Sequence, residues 1–216
     1  MPTLQEELNQ FLQNVMQQVP AEVLTTSSHE MDKIEKEQMP TGLSVGDIAP
    51  NFSLPDPVGN IVSLADLLRE GPVVLSFYRG AWCPYCNLEL RALQAALPEF
   101  TKRNAKLVAI SPQTPDHSLS VQEKHNLAFP VLSDPTGETL RAYHLLFEFS
   151  KELRELYENA FQIDVGKYNG DLGWKLPVPA TYILDTTGKI VALGHAMDYT
   201  KRMNIEDILA ALDQIQ

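Results

Sequence analysis

The apolar positions of the first twenty residues are Leu4, Leu8, Phe11, Leu12, Val15, Met16 and Val19. Spacings of three and four put them on one helical face, which predicts an amphipathic helix. Thr3 and Glu6 form a capping-box signature at its start, and Pro20 stops it. A weaker helical pattern covers Ala21 to Gln38, with a break expected near Ser27 or Ser28, and Pro40-Thr41-Gly42 closes the region. Residues 1–42 are read as a helical extension and residues 43–216 as the main domain. The apolar stripe either packs on its own chain or makes a homodimer contact, because periodicity says only that one face is buried.

From Val45 the pattern changes. Asn51 to Asp56 is short and extended, and Ser63 to Glu70 reads as a helix with Ser63 as N-cap and Gly71 beyond its end. Pro72 to Tyr78 is a buried-strand run, rich in β-branched and aromatic residues. Cys83 follows, and then a helix whose buried side is marked by Leu88, Ala92, Leu93, Ala96 and Leu97, with Pro98 near its end. Lys106 to Ser111 is the next strand, Thr114-Pro115 opens a helix, and Phe129 to Asp134 is a short strand. Glu138 to Phe161 is expected to be one long helical stretch. Thr181 to Asp185, then Thr186-Thr187-Gly188, then Lys189 to Leu193 predicts a hairpin, and Ile205 to Ile215 a closing helix. Strands alternating with helices predict an α/β fold, a central mixed β-sheet flanked by helices.

Composition narrows the function classes. The chain has 216 residues, 44% of them hydrophobic, so it can bury a sizeable core. No run approaches the roughly 18 apolar residues of a membrane helix. The polar, acidic start lacks the basic and apolar segments of a secretory signal, so the cytoplasm is the expected compartment and no membrane partner is expected. A net charge of −11 disfavours phosphate backbones, so no nucleic acid partner is expected.

The chemistry rests on two cysteines, in the run Cys83-Pro84-Tyr85-Cys86. So close a pair staples no long loop and is poorly suited to a structural disulfide. Placed where a strand and loop meet a helix, Cys83 would face unpaired N–H groups and the positive end of the helix dipole, which stabilise a thiolate. Cys86, one turn on, could attack a sulfur bonded to Cys83. A zinc site needs two further ligands, and the five histidines form no usable pair: His117 and His125 stand eight apart. No metal and no cofactor are expected. Two idle buried cysteines are the other bland reading, and the strand–loop–C-x-x-C–helix order favours redox use over it. Pro179, just before the strand at Ala180, suggests a cis Val178–Pro179 bond.

The run Phe77-Tyr78-Arg79-Gly80-Ala81-Trp82-Cys83-Pro84-Tyr85-Cys86 resembles the active site of the thioredoxin superfamily, and Cys-Pro-Tyr-Cys is also the glutaredoxin dithiol sequence. Its flanks, Gly46 to Leu54 and Phe129 to Asp134, resemble peroxiredoxins, the alkyl hydroperoxide reductase and thiol-specific antioxidant family. The resemblance spans residues 43–195. It implies a thioredoxin-like fold, Cys83 as the peroxidatic cysteine, Cys86 as the resolving one, and Pro179 at the position of the cis-proline facing the dithiol. The chain departs from that pattern. Peroxiredoxins carry P-x-x-x-T-x-x-C, and the corresponding positions hold Ser76 and Gly80. Many also place an arginine where Pro179 stands. Arg79 is the candidate for the missing cation and Arg202 a more distant one, although arginines are more often surface residues. Trp82, beside Cys83, completes the substrate-site candidates.

Three functions compete on this reading. The first is a thiol peroxidase that reduces peroxides through Cys83 and Cys86 and is recycled by a dithiol reductant of thioredoxin or glutaredoxin type. The second is dithiol–disulfide exchange on protein or small-molecule disulfides. The third is a redox-sensing binding protein that holds a partner on its helical extension.

Overall fold

A computed structural model describes residues 2–215. The chain opens with α1 (Leu4–Gln18) and α2 (Ala21–Gln38). A small antiparallel pair, β1 (Ser53–Pro55) and β2 (Ile61–Ser63), leads into α3 (Leu64–Glu70) and β3 (Val73–Phe77). There follow α4 (Pro84–Lys102), β4 (Lys106–Ser111), α5 (Pro115–Lys124), β5 (Val131–Ser133) and α6 (Glu138–Ala142). Next come β6 (Leu146–Glu148), α7 (Lys151–Ala160), α8 (Val165–Asn169) and β7 (Lys175–Pro177), then the hairpin β8 (Ala180–Leu184) and β9 (Ile190–His195), and finally α9 (Ile205–Asp213).

The central sheet has the order β5-β4-β3-β8-β9. Strands β3, β4 and β5 run parallel, while β8 is antiparallel to both β3 and β9. This is the expected thioredoxin-like fold with a mixed sheet. Every residue of β3 is buried because both sheet faces are covered. Val73, Leu75 and Phe77 enter one core, with Ile34 of α2 and Leu153 of α7. Val74 and Tyr78 enter the other, with Leu4 and Leu8 of α1, Leu90 and Leu93 of α4, and Ile208 and Leu212 of α9.

The N-terminal helices follow their sequence signals closely. Thr3 and Glu6 form the capping box. Leu4 and Leu8 are buried against their own chain, while Met16 stays exposed. No break interrupts α2 at Ser27, which is itself buried. Two further expectations need correction. The stretch from Glu138 to Phe161 is not one helix. His144 turns into the left-handed region after α6, and Leu145, Phe147 and Phe149 then alternate inward as β6 pairs with β7. Their period of two is that of a strand, not of a helix. Ser150 restarts the helix by accepting the Leu153 N–H. On α4 the buried face holds Tyr85, Cys86, Glu89, Leu90, Leu93, Ala96 and Phe100, while Leu88, Ala92 and Leu97 are only partly covered, and the helix runs past Pro98 to Lys102.

Candidate active site

The end of β3 sets the site. Tyr78 still donates to Ile110 across the sheet, and Arg79 to Trp82 then form a short connection into α4. Gly80 has φ +150°, and a Cβ there would lie 2.6 Å from both Gln113 Oε1 and Trp82 Nε1. Glycine is therefore required, since both the backbone region and the space exclude a side chain. The side-chain oxygen of buried Gln113 accepts the Ala81 N–H, and Asn87 Nδ2 donates to the Ala81 carbonyl at 2.9 Å. The loop is thus fixed from both sides.

Cys83 is the N-cap of α4, with Pro84 at the first helical position, where a missing N–H leaves nothing unpaired. Its sulfur accepts the Cys86 backbone N–H at 3.4 Å and the Cys86 thiol at 2.7 Å. Burial opposes ionisation of Cys83. The Cys86 thiol, the charges of Arg79 and Arg202 and the Cys86 N–H outweigh it, and the pKa falls to about 6. Cys86 moves the opposite way, because burial, the hydrogen bond it gives Cys83 and the Cys83 charge all keep its proton on. One sulfur is set to be a thiolate and its neighbour a thiol.

Both arginines are interior residues, not surface ones: Arg79 is 1% exposed and the Arg202 side chain 2%. The Arg79 guanidinium lies 4.3 Å from the Tyr199 ring centre and 4.8 Å from that of Trp82, and donates to the Tyr157 hydroxyl at 2.9 Å. Among the described residues it has no carboxylate partner. A buried cation without a counter-charge is costly, and a Cys83 thiolate supplies that charge. Arg202, by contrast, pairs with buried Glu89 at 2.5 Å and reaches Cys86 Sγ at 3.3 Å. The other Glu89 oxygen accepts the Thr181 hydroxyl at 3.1 Å. Burial raises the Glu89 carboxyl, and the Arg202 charge only partly counters it. A chain of contacts thus links the start of β8 to the second sulfur.

Trp82 stands edge-on to Tyr157 at 5.8 Å and, with Cys83 and Arg79, lines a cavity of about 670 Å³. Pro179 is buried at the entrance to β8 and is not part of that lining. The expected cis bond before it is not found. Val178 instead donates to the Leu145 carbonyl, and Pro179 precedes the first ladder residue, where its lack of an N–H disturbs no pairing. The ordinary trans isomer fits such a position. Ser76 is buried within β3 with no hydrogen-bond partner for its hydroxyl. The sequence reading missed Glu89, Tyr157 and Tyr199. Glu89 carried a signal, since it lies three residues after Cys86 on the same helix face; the two tyrosines, far off in sequence, carried none.

A thioredoxin-like sheet with an ionisable thiol at a helix start, a second thiol touching it and a buried cation nearby defines a thiol-dependent oxidoreductase. The model of the AhpC/TSA family matches residues 45–193, and the chain belongs to that family. A Mycobacterium tuberculosis protein whose name places it among the peroxiredoxins is 36% identical over 138 residues, covering 60% of this chain and 87% of its own. The thiol-disulfide oxidoreductase ResA of Geobacillus kaustophilus is 27% identical over 179 residues, 82% of this chain and 80% of its own. The crystal structure of Peroxidoxin BcpB from Mycobacterium tuberculosis superposes with a TM-score of 0.62 at 26% identity, covering 81% of this chain and 99% of that one. No helix among the described residues is long and apolar enough to cross a membrane.

Proposed function

We propose that this protein is a thiol peroxidase in which Cys83 attacks the peroxide and Cys86 resolves the product. The observation that carries the reading is Arg79, a buried cation without a carboxylate partner beside a thiol whose pKa is lowered to about 6. The Cys83 thiolate bonds to one peroxide oxygen as the O–O bond breaks. The other oxygen leaves as an alkoxide or hydroxide and takes a proton from solvent. The Cys86 thiol then displaces the hydroxyl of the sulfenic acid, giving a disulfide and water. A dithiol of thioredoxin or glutaredoxin type reduces that disulfide and becomes oxidised itself. Arg79 stabilises first the thiolate and then the departing oxygen, the task of fixed donors in a dry site. Its Nε is buried without a partner, leaving a donor free for that work. Arg202, against Cys86, offsets part of the burial penalty on a Cys86 thiolate when the disulfide is reduced.

Dithiol–disulfide exchange is the second reading. It is favoured by Gly80, where the family threonine would offer a hydroxyl, and by the similarity to a thiol-disulfide oxidoreductase. Peroxide consumption with dithiothreitol as reductant separates the two. We expect turnover with wild type, loss with Cys83→Ser, and an intramolecular Cys83–Cys86 disulfide by mass spectrometry after one equivalent of peroxide. Turnover of a small disulfide without peroxide consumption would leave the second reading.

A further inference from the structure

The family match begins at residue 45, yet much of the wall around Cys83 comes from before it. The cavity of about 670 Å³ is closed on one side by Phe11, Leu12 and Val15 of α1 and by Leu24 and Met31 of α2. Facing them are Trp82, Tyr85, Tyr157, Phe161 and Tyr199, with Cys83 and Arg79 in the lining. Phe11 meets Tyr85 edge-on at 5.0 Å, which ties the helical wall to the first turn of α4. The volume lies within the range of about 300–1,000 Å³ typical of sites for drug-sized ligands. Hydrogen peroxide needs a small fraction of it.

We propose that α1 and α2 form a substrate pocket for an uncharged hydroperoxide with a bulky apolar body, held so that its O–O group reaches Cys83. The proposal rests on the peroxidase reading and deepens it. The walls are predominantly apolar, with Phe11 and aliphatic side chains on one side, aromatic rings on the other and Ser27, Ser28 and Thr200 among the few polar groups, which suits an apolar body. Charge selects further. The carboxylates that line the cavity are Asp32 and Asp198, and its one cation, Arg79, is enclosed by Tyr157, Tyr199 and Trp82. A substrate bearing a carboxylate would meet like charge on entry, and the one cation inside already faces the Cys83 thiolate. Amphipathic α1, stopped by Pro20 and followed by α2, thereby acts as a specificity element attached to a thioredoxin-like reaction centre.

The test compares second-order rates of the reduced protein with hydrogen peroxide, cumene hydroperoxide, and a fatty-acid hydroperoxide as free acid and methyl ester. We expect cumene hydroperoxide to outpace hydrogen peroxide by roughly tenfold or more, and the ester to outpace the acid. Val15→Trp or Met31→Trp, which put bulk into the wall from different helices, should lower the cumene-to-hydrogen-peroxide ratio by roughly tenfold. Without any oxidation, 2-phenyl-2-propanol, an alcohol of the same shape, should slow iodoacetamide alkylation of Cys83 in wild type, and much less in either variant. Fast hydrogen peroxide reduction with no preference for cumene hydroperoxide and no protection by the alcohol would overturn the pocket while leaving the peroxidase. Preference for the free acid would overturn the charge selection. Reaction with every peroxide at the rate of a free thiol would remove the peroxidase reading and this one with it.

Discussion

The reactivity of Cys83 is decided by a few atoms around one sulfur. Burial alone would keep it protonated, as it does Cys86. The Cys86 thiol, Arg79 and Arg202 reverse that balance for Cys83, and its thiolate fraction therefore rises as pH climbs through about 6. Alkylation of the Cys86→Ser variant should follow a single titration near that value, because the serine hydroxyl can still donate to Cys83. The Cys83→Ser variant, keeping Cys86, should react slowly at neutral pH. Removing either cation, in Arg79→Ala or Arg202→Ala, should raise the Cys83 midpoint by about one unit or more. A faster reaction of Cys86 at neutral pH would reverse the assignment. The placement of the two cysteines at the start of α4 was legible in the sequence because strand, loop and helix signals bracket them. Arg79 could be named only as a candidate cation, since no local pattern distinguishes an arginine stacked on Trp82 and Tyr199 from one in water.

At the scale of elements, the turn from β3 into α4 holds the chemistry in place. Its geometry depends on Gly80, whose φ of +150° and contact with Gln113 and Trp82 leave no room for a side chain. Gly80→Thr, which restores the threonine of the P-x-x-x-T-x-x-C pattern, should therefore damage the site rather than improve it. We expect a stability loss of about 1–3 kcal/mol in urea unfolding of the reduced protein, the range for a strained backbone position, together with slower peroxide reduction. Full stability with faster turnover would show that the loop adapts. Most elements could be read from the sequence where local signals agree with the fold, as in the Thr3–Glu6 box of α1 and the Thr181 to Leu193 hairpin. Reading failed between residues 138 and 161, where an inward alternation at Leu145, Phe147 and Phe149 is satisfied only by the distant strand β7. It failed again on α4, whose buried face includes Glu89, a residue kept inside by Arg202 and Thr181 from remote parts of the chain.

The molecule as a whole couples a redox pair at the edge of one sheet core to helices at its N-terminus. Val74 and Tyr78 of β3, Leu4 and Leu8 of α1, and both cysteines share that core, so the reaction centre and the wall above it belong to one packed unit. The central claim is that this assembly reduces peroxides through an arginine-supported Cys83 thiolate. Stopped-flow mixing of the reduced protein with hydrogen peroxide at pH 7, followed by Trp82 fluorescence, tests it most directly. The account predicts a second-order rate on the order of 10²–10³ or more above that of a free thiol, and a drop of about tenfold or more in Arg79→Ala. Exchange with a small disulfide should fall much less in that variant. A wild-type rate equal to that of a free thiol, or a fast rate indifferent to Arg79, would contradict it.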